Sequence, residues 1–279
     1  MPKPKDNSKV RRRINKKKAR LLFDKYALYS KAVQSPANDV VFLQNTYKDL
    51  RGKNPKLMRE DFCGTFALSA EWVKLNPRHW AIGIDLDPEP VTYGRNNYLN
   101  SLRPQQQRRL QLIEGNVLDP NLPKADLVTA LNFSYFCFKT RESMKKYFHN
   151  VYKSLNKDGI FVVDIFGGSQ CHDAIEDTIK NDGFTYYWDQ TNFDPVTNEA
   201  LFHIHFRIGG KRYEQVFTYD WRLWSIPEIR DIMAEVGFKK THIYWEGTNT
   251  KDGTGNGKFF RTEKGEACAS WIAYVIGEK

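Results

Sequence analysis

Between Leu57 and Asn97 the hydrophobic pattern of this chain changes period repeatedly, and those changes restrict its fold more than any other feature. A short apolar run ending near Phe62 reads as a strand. Cys63, Gly64 and Thr65 follow as small residues where the backbone must bend sharply. From Ala67 to Leu75 the apolar residues Leu68, Trp72, Val73 and Leu75 recur at helical spacing, and Pro77 stops the helix. Trp80 to Ile84 reads as a second strand ending in Asp85, with Pro88 where the next helix begins. A β-α-β unit with an acid at the carboxyl end of each strand is how an open α/β sheet builds a nucleotide pocket. Glu60 and Asp85 are those acids.

The flanking sequence extends the same alternation. Apolar positions from Ala19 to Val33 predict a helix over about Asn15 to Val33. Ser35-Pro36 predicts the N-terminus of a second helix, with Val40, Val41, Leu43 and Tyr47 as its buried stripe and Gly52 as its end. Leu110 to Glu114, Asp126 to Leu131 and Ile160 to Ile165 are the third, fourth and fifth strands. Met144, Tyr147, Phe148, Val151 and Leu155 mark the helix before the last of these. Strands alternating with helices imply a doubly wound, mostly parallel sheet, hence an α/β fold.

Beyond Gly168 the period becomes two. Tyr186 to Asn192, Leu201 to Ile208 and Tyr213 to Trp221 alternate apolar with polar residues, and Asn198-Glu199 and Gly209-Gly210 supply the turns of an antiparallel insert. Its many rings suit cross-strand packing. Pro227 to Val236 returns to a helix. Ile243 to Trp245 and Ser270 to Ile276 complete the main sheet, with Gly247 to Gly265 read as a Gly-rich loop. The organisation expected is a basic tail (1–20), a helical cap (21–56), the α/β domain (57–183 and 225–279) and the antiparallel insert (184–224).

The net charge of +10 over 279 residues is unevenly placed. Ten Lys and Arg residues fall in the first 20 against Asp6 alone, which leaves 33 basic and 32 acidic residues for the rest. Two readings of the run from Lys3 to Arg20 stand side by side: a solvated extension, or an arm that grips RNA or another polyanion through its phosphates. No apolar run approaches the roughly 18 residues that span a bilayer. The four cysteines are far apart, without a CxxC pair, so a reducing, cytoplasmic setting without disulfides or zinc is expected. His203, His205 and Arg207 share one strand face by their period of two, and an arginine there disfavours a cation. That face is expected to be solvated rather than metal-binding.

Taken together, the run Glu60-Asp61-Phe62-Cys63-Gly64-Thr65-Phe66, the strand-end acid Asp85 and the closing strand pair resemble the class I S-adenosylmethionine-dependent methyltransferases. The resemblance covers roughly Leu57 to Phe166 and resumes from Trp224. That family commonly has D-x-G-C-G-T-G at the first turn; here Phe62 and Phe66 replace the outer glycines. The resemblance implies a Rossmann-like sheet with an antiparallel last strand, S-adenosylmethionine as cofactor, and the insert as a substrate lid. By position it implies that Asp85 takes the ribose hydroxyls, which suits an acceptor-only carboxylate. Leu86 would pack on the adenine, while Asn116 and the backbone of Val117 would meet its edge. Glu60, Gly64 and Asn132 would line the methionine half, with Phe62, Cys63, Thr65 and Phe133 completing the wall. Candidates on the acceptor side are Tyr135, Tyr219, Arg222 and Trp224. The implied reaction is methyl transfer to an N, O or S nucleophile of a small molecule or RNA. The alternatives are an NAD-dependent oxidoreductase, which would want G-x-G-x-x-G at the first turn, and a non-catalytic RNA-binding protein on the same scaffold.

Overall fold

The computed structural model describes residues 23–249 and 253–279. The basic run and most of the helix expected from Asn15 lie outside that range. Two helices come first, α1 (Lys25–Val33) and α2 (Pro36–Arg51). Asp24 caps α1 by accepting the Ala27 N–H at 2.9 Å. Gly52 ends α2 with φ +66°, its N–H on the Lys48 carbonyl. Val40, Leu43 and Tyr47 are buried as expected, but Val41 faces solvent at 42% exposure and drops out of the stripe.

The main sheet holds β1 (Leu57–Asp61), β2 (Trp80–Asp85), β3 (Leu110–Glu114), β4 (Ala125–Ala130) and β5 (Leu155–Gly167). Later in the chain β10 (Lys240–Thr248), β11 (Gly255–Thr262) and β12 (Trp271–Glu278) join them. The spatial order is β11-β10-β12-β5-β4-β1-β2-β3. The first five strands run parallel, and β12 enters antiparallel beside β5, with Val275 opposite Val163. Strand order reverses between β1 and β4, so the carboxyl ends there diverge and leave a crevice.

Alternation along the strands splits the core in two. Ile160 and Val162 face one side, with Leu43 of α2 and Leu68 and Trp72 of α3 (Ala67–Leu75). Phe161 and Val163 face the other, with Tyr147, Phe148 and Val151 of α5 (Arg141–Ser154) and Ile229 and Met233 of α6 (Ile226–Val236). Between α3 and α5 in the chain, α4 (Pro88–Asn97) follows β2. The described chain has no helix long and apolar enough to cross a membrane.

The insert is a second sheet in the order β6-β7-β8-β9. It comprises β6 (Ile175–Asn181), β7 (Phe184–Asp194), β8 (Glu199–Ile208) and β9 (Lys211–Arg222). It therefore begins a strand earlier than the alternating pattern suggests. Phe202, Trp221 and Trp224 join the main core, while Tyr186, Ile204 and Phe206 pack with Leu28 and Tyr29 of α1. The segment read as a Gly-rich loop also changes status: β11 pairs with β10, Trp245 opposite Phe260, and Phe259 packs on Tyr274 at 4.6 Å.

The histidine face differs from expectation too. His203 and His205 are buried. His203 Nδ1 meets Thr218 Oγ1 at 3.0 Å, and His205 lies between Asp189 and Glu214 at 3.2 and 3.0 Å. Cross-strand partners from β7 and β9 cover the face, which period alone cannot reveal. Ligand atoms of Glu176, Asp189 and His205 lie within 4.8 Å of one another, but the Arg212 guanidinium already pairs with Glu176.

Candidate functional site

Motif geometry begins with the turn after β1. Phe62, Gly64 and Phe66 have φ of +58°, +50° and +50°. All three stand in the left-handed region that glycine adopts freely and that costs a side-chain-bearing residue roughly 1–2 kcal/mol. The turn thus keeps a three-glycine backbone with two phenylalanines in it. Only Phe66 leaves the crevice; Phe62 stays at its wall. Phe62 packs on Tyr147 and Phe138, with centroids 5.6 and 5.8 Å apart. Phe66 is fully buried beneath α4, where Gly94 has no side chain: a Cβ there would come within 2.5 Å of the ring. At Gly64 a Cβ would meet nothing within 4 Å, so the middle of the turn faces open space.

That space is a cavity of about 840 Å³ at the crevice between β1 and β4. Glu60, at the end of β1, is buried, and one carboxylate oxygen accepts the N–H and hydroxyl of Ser69 at 2.9 and 2.5 Å. Ser69 lies in the first turn of α3, where a carboxylate meets the helix's unpaired N–H groups. Burial nevertheless wins: it lifts the Glu60 pKa to about 8 against the lowering effect of those bonds. Asp85 accepts the Gly64 N–H at 2.7 Å on one oxygen and the Asp87 N–H at 2.9 Å on the other. Desolvation raises its pKa as well. The basic residues that could have neutralised these acids are engaged elsewhere, Arg59 with Asp61 and Arg95 with Glu114.

Two further acids were not found by sequence reasoning. Asp39, in the first turn of α2, lines the same cavity, and burial lifts its pKa to about 6. Asp164, inside β5, accepts the N–H groups of Asn132 and Phe133 at 2.7 and 2.9 Å. Those two residues have φ of +56° and +55°. The Asp164 carboxylate therefore holds the loop after β4 in its left-handed path, and burial lifts its own pKa to about 7. An acid inside the apolar run Ile160-Phe161-Val162-Val163-Asp164-Ile165 was the available signal.

Of the cofactor-side residues expected, Glu60, Phe62, Cys63, Gly64, Thr65, Asp85 and Asn132 all line the cavity. The other four do not. Leu86 is 70% exposed beside it, and Val117 is buried in the core. Asn116 is exposed, with its side-chain oxygen taking the Leu118 N–H at 2.9 Å. Phe133 lines a neighbouring cavity instead. On the acceptor side, Tyr219 lines both cavities. Tyr135 is fully buried with its hydroxyl on the Asp164 carbonyl at 2.9 Å. Arg222 bonds Glu228 at 3.1 Å and lies over the buried Trp224 ring at 3.9 Å. Tyr135, Arg222 and Trp224 are thus committed to the scaffold and line neither cavity.

Helix α1 covers the mouth. Tyr26 packs on Tyr93 of α4 and on Phe217 of β9, at 4.7 and 5.9 Å, and Lys25 pairs with Glu89. Lys25, Tyr26 and Tyr29 all line the larger cavity.

Solved structures share the fold. A methyltransferase from Clostridium acetobutylicum, described as S-adenosylmethionine-dependent, matches with a TM-score of 0.62 at 19% identity, over 90% of this chain and 96% of that one. The fold is that of the S-adenosylmethionine-dependent methyltransferases. An amino pentose methyltransferase from Micromonospora echinaspora matches with a TM-score of 0.65 at 16% identity, over 93% and 98% of the two chains. A sugar N-methyltransferase from Streptoalloteichus reaches 0.59 at 15%, over 93% and 94%. In sequence, ribosomal protein L11 methyltransferases of Clostridium botulinum are 34% identical over 102 residues, or 36% of this chain. The match spans about 28% of those relatives' own length. No family model matches the chain.

Proposed function

We propose that this protein is a methyltransferase that uses S-adenosylmethionine. The observation that carries the reading is the pair of carboxylates, Glu60 and Asp85, on either side of the open Gly64 turn at the β1/β4 crevice. With Asp39 they make an acidic wall whose one basic lining residue, Lys25, is paired with Glu89. Such a wall favours a cationic ligand, and S-adenosylmethionine carries both an ammonium and a sulfonium. The cavity, at about 840 Å³, lies within the ~300–1,000 Å³ usual for cofactor and small-molecule sites.

Asp85 offers its remaining lone pairs to ribose hydroxyls, and Leu86 is free to cover the adenine. Glu60 and Asp39 face the methionine ammonium. When bound, the cofactor supplies an electrophilic methyl group on sulfur. The protein's part is alignment of the acceptor, which can contribute roughly 7–11 kcal/mol. The acceptor is an N, O or S nucleophile. Residues of α1 and of insert strand β9 line the site along with the main sheet, which favours a small molecule over RNA. The neighbours acting on amino sugars point the same way.

A dinucleotide reading fits less well. Its turn needs glycines for close approach of a pyrophosphate, and an acidic wall repels one. Thermal unfolding separates the two. S-adenosylmethionine and S-adenosylhomocysteine are expected to raise the melting temperature while NADH leaves it unchanged. A rise with NADH alone would reverse the assignment.

A further inference from the structure

Beside the cofactor cavity lies a second one of about 220 Å³. Tyr29, Asn132, Tyr219 and Trp221 line both, so the two spaces meet across a shared wall. The rings of the smaller cavity are fixed by packing. Phe133 meets Phe166 edge-on at 4.7 Å, Trp188 stacks on Phe202 at 5.1 Å, and Tyr219 stacks on Trp221 at 4.5 Å. Among the described residues lining it there is no Lys, Arg or His, and the one acid is the exposed Asp177 of β6.

The polar side chains at the shared wall are the Tyr29 and Tyr219 phenols and the Asn132 amide. Tyr29 and Tyr219 lie close enough for each to influence the other's titration, and Tyr186 lies close enough to feel Tyr29. Burial raises all three pKa values, that of Tyr29 to about 12. At neutral pH they remain protonated and orient a ligand without taking its proton.

We propose that this smaller cavity is the acceptor site, and that it takes a compact primary or secondary amine with an apolar, ring-sized body. The proposal rests on the S-adenosylmethionine reading of the adjoining cavity. Three properties select this class. The volume is below the ~300 Å³ at which drug-sized pockets begin, so a polymer segment does not fit. Burying an anion with no cation to meet it is costly, so phosphates and carboxylates are disfavoured. The third property concerns the nucleophile. A hydroxyl acceptor needs a base, and the carboxyl groups with pKa values raised toward neutrality, Asp39, Glu60 and Asp164, do not line this cavity. An amine that has first released its ammonium proton to water attacks with its own lone pair: the N–CH₃ bond forms as the S–CH₃ bond breaks with its electron pair going to sulfur. The resulting ammonium sheds its proton to water. Ring faces and Asp177 favour the positive charge that nitrogen gains.

The test uses the full-length protein saturated with S-adenosylhomocysteine and two probes that share a phenethyl body, phenethylamine and 3-phenylpropionate. Calorimetry is expected to show the amine binding at least about tenfold tighter than the carboxylate. Cys171→Trp, which fills the cavity from its rim, is expected to abolish amine binding while S-adenosylhomocysteine binds as before. Ile175→Trp serves the same purpose if the first variant fails to fold. With S-adenosylmethionine, the N-methyl product is expected from phenethylamine and none from 2-phenylethanol. Equal or tighter carboxylate binding, amine binding that survives both blocking variants, or an O-methyl product would overturn the proposal. Failure of wild-type protein to bind S-adenosylhomocysteine at all would instead overturn the cofactor reading beneath it.

Discussion

Phe66 shows how a motif can lose its letters and keep its shape. Its φ of +50° carries a steric cost of roughly 1–2 kcal/mol. A fully buried ring contributes more, since Phe→Ala in a core costs about 3–5 kcal/mol. The two magnitudes give an ordering. Phe66→Ala loses the ring and keeps the strain, so urea unfolding should show a loss near about 3–5 kcal/mol. Phe66→Gly loses the ring but relieves the strain, so it should be the less damaging change by about 1 kcal/mol. A glycine variant less stable than the alanine one would contradict the left-handed geometry. From the sequence alone this turn looked impoverished, with one glycine of three. The backbone conformation was hidden because Gly94, 28 positions after Phe66, makes the room the ring needs. Glu60 and Asp85 were legible because strand ends place them. Asp39 and Asp164 were not, since nothing local connects α2 or the middle of β5 to the crevice.

Among elements, those with a buried face were readable and those held by backbone pairing were not. Helix α5 announces itself through Met144, Tyr147, Phe148 and Val151, all fully buried. Strands β6 and β11 are edge strands whose side chains are mostly exposed, so neither shows an alternating pattern. They exist because β7 and β10 offer unpaired N–H and C=O groups. Helix α1 is a third case, with no fully buried residue. Phe23 against Tyr213 at 4.8 Å, Tyr26 against Tyr93 and Tyr29 against Phe217 at 5.1 Å hold it over the cavity. A helix with so little buried surface should open locally more readily than the strands beneath it. Hydrogen exchange is therefore expected to slow across α1 when S-adenosylhomocysteine binds, with β1 and β4 protected in both states. Equal protection of α1 in both states would show that it does not close on the ligand.

Across the whole molecule, the acids at the crevice tie ligand binding to pH. Glu60 and Asp39, which line the cavity, have pKa values lifted to about 8 and 6 by burial. A carboxyl whose pKa rises on folding gives a stability contribution that is fully present below its unfolded value and lost as pH climbs through its folded one. For Glu60 that window runs from 4.5 to about 8. The ligand-free protein should accordingly lose stability from these groups as pH rises toward 8. A bound ammonium favours their ionised forms, so proton release is expected on binding near pH 7. Titration of S-adenosylhomocysteine in buffers of different ionisation enthalpy reads that release, and Glu60→Gln should diminish it. Proton uptake by the wild type would contradict the assignment of the acids to a cationic ligand.

At the crevice between β1 and β4, Asp85 faces the cavity from the end of β2. Calorimetric titration of S-adenosylhomocysteine into wild-type protein and Asp85→Ala, side by side, tests the cofactor reading most directly. Saturable one-to-one binding to the wild type is predicted, weakened at least about tenfold in the variant by loss of charge-assisted hydrogen bonds worth roughly 1.5–3 kcal/mol. No binding at millimolar ligand, or equal affinity in the two proteins, would contradict the account.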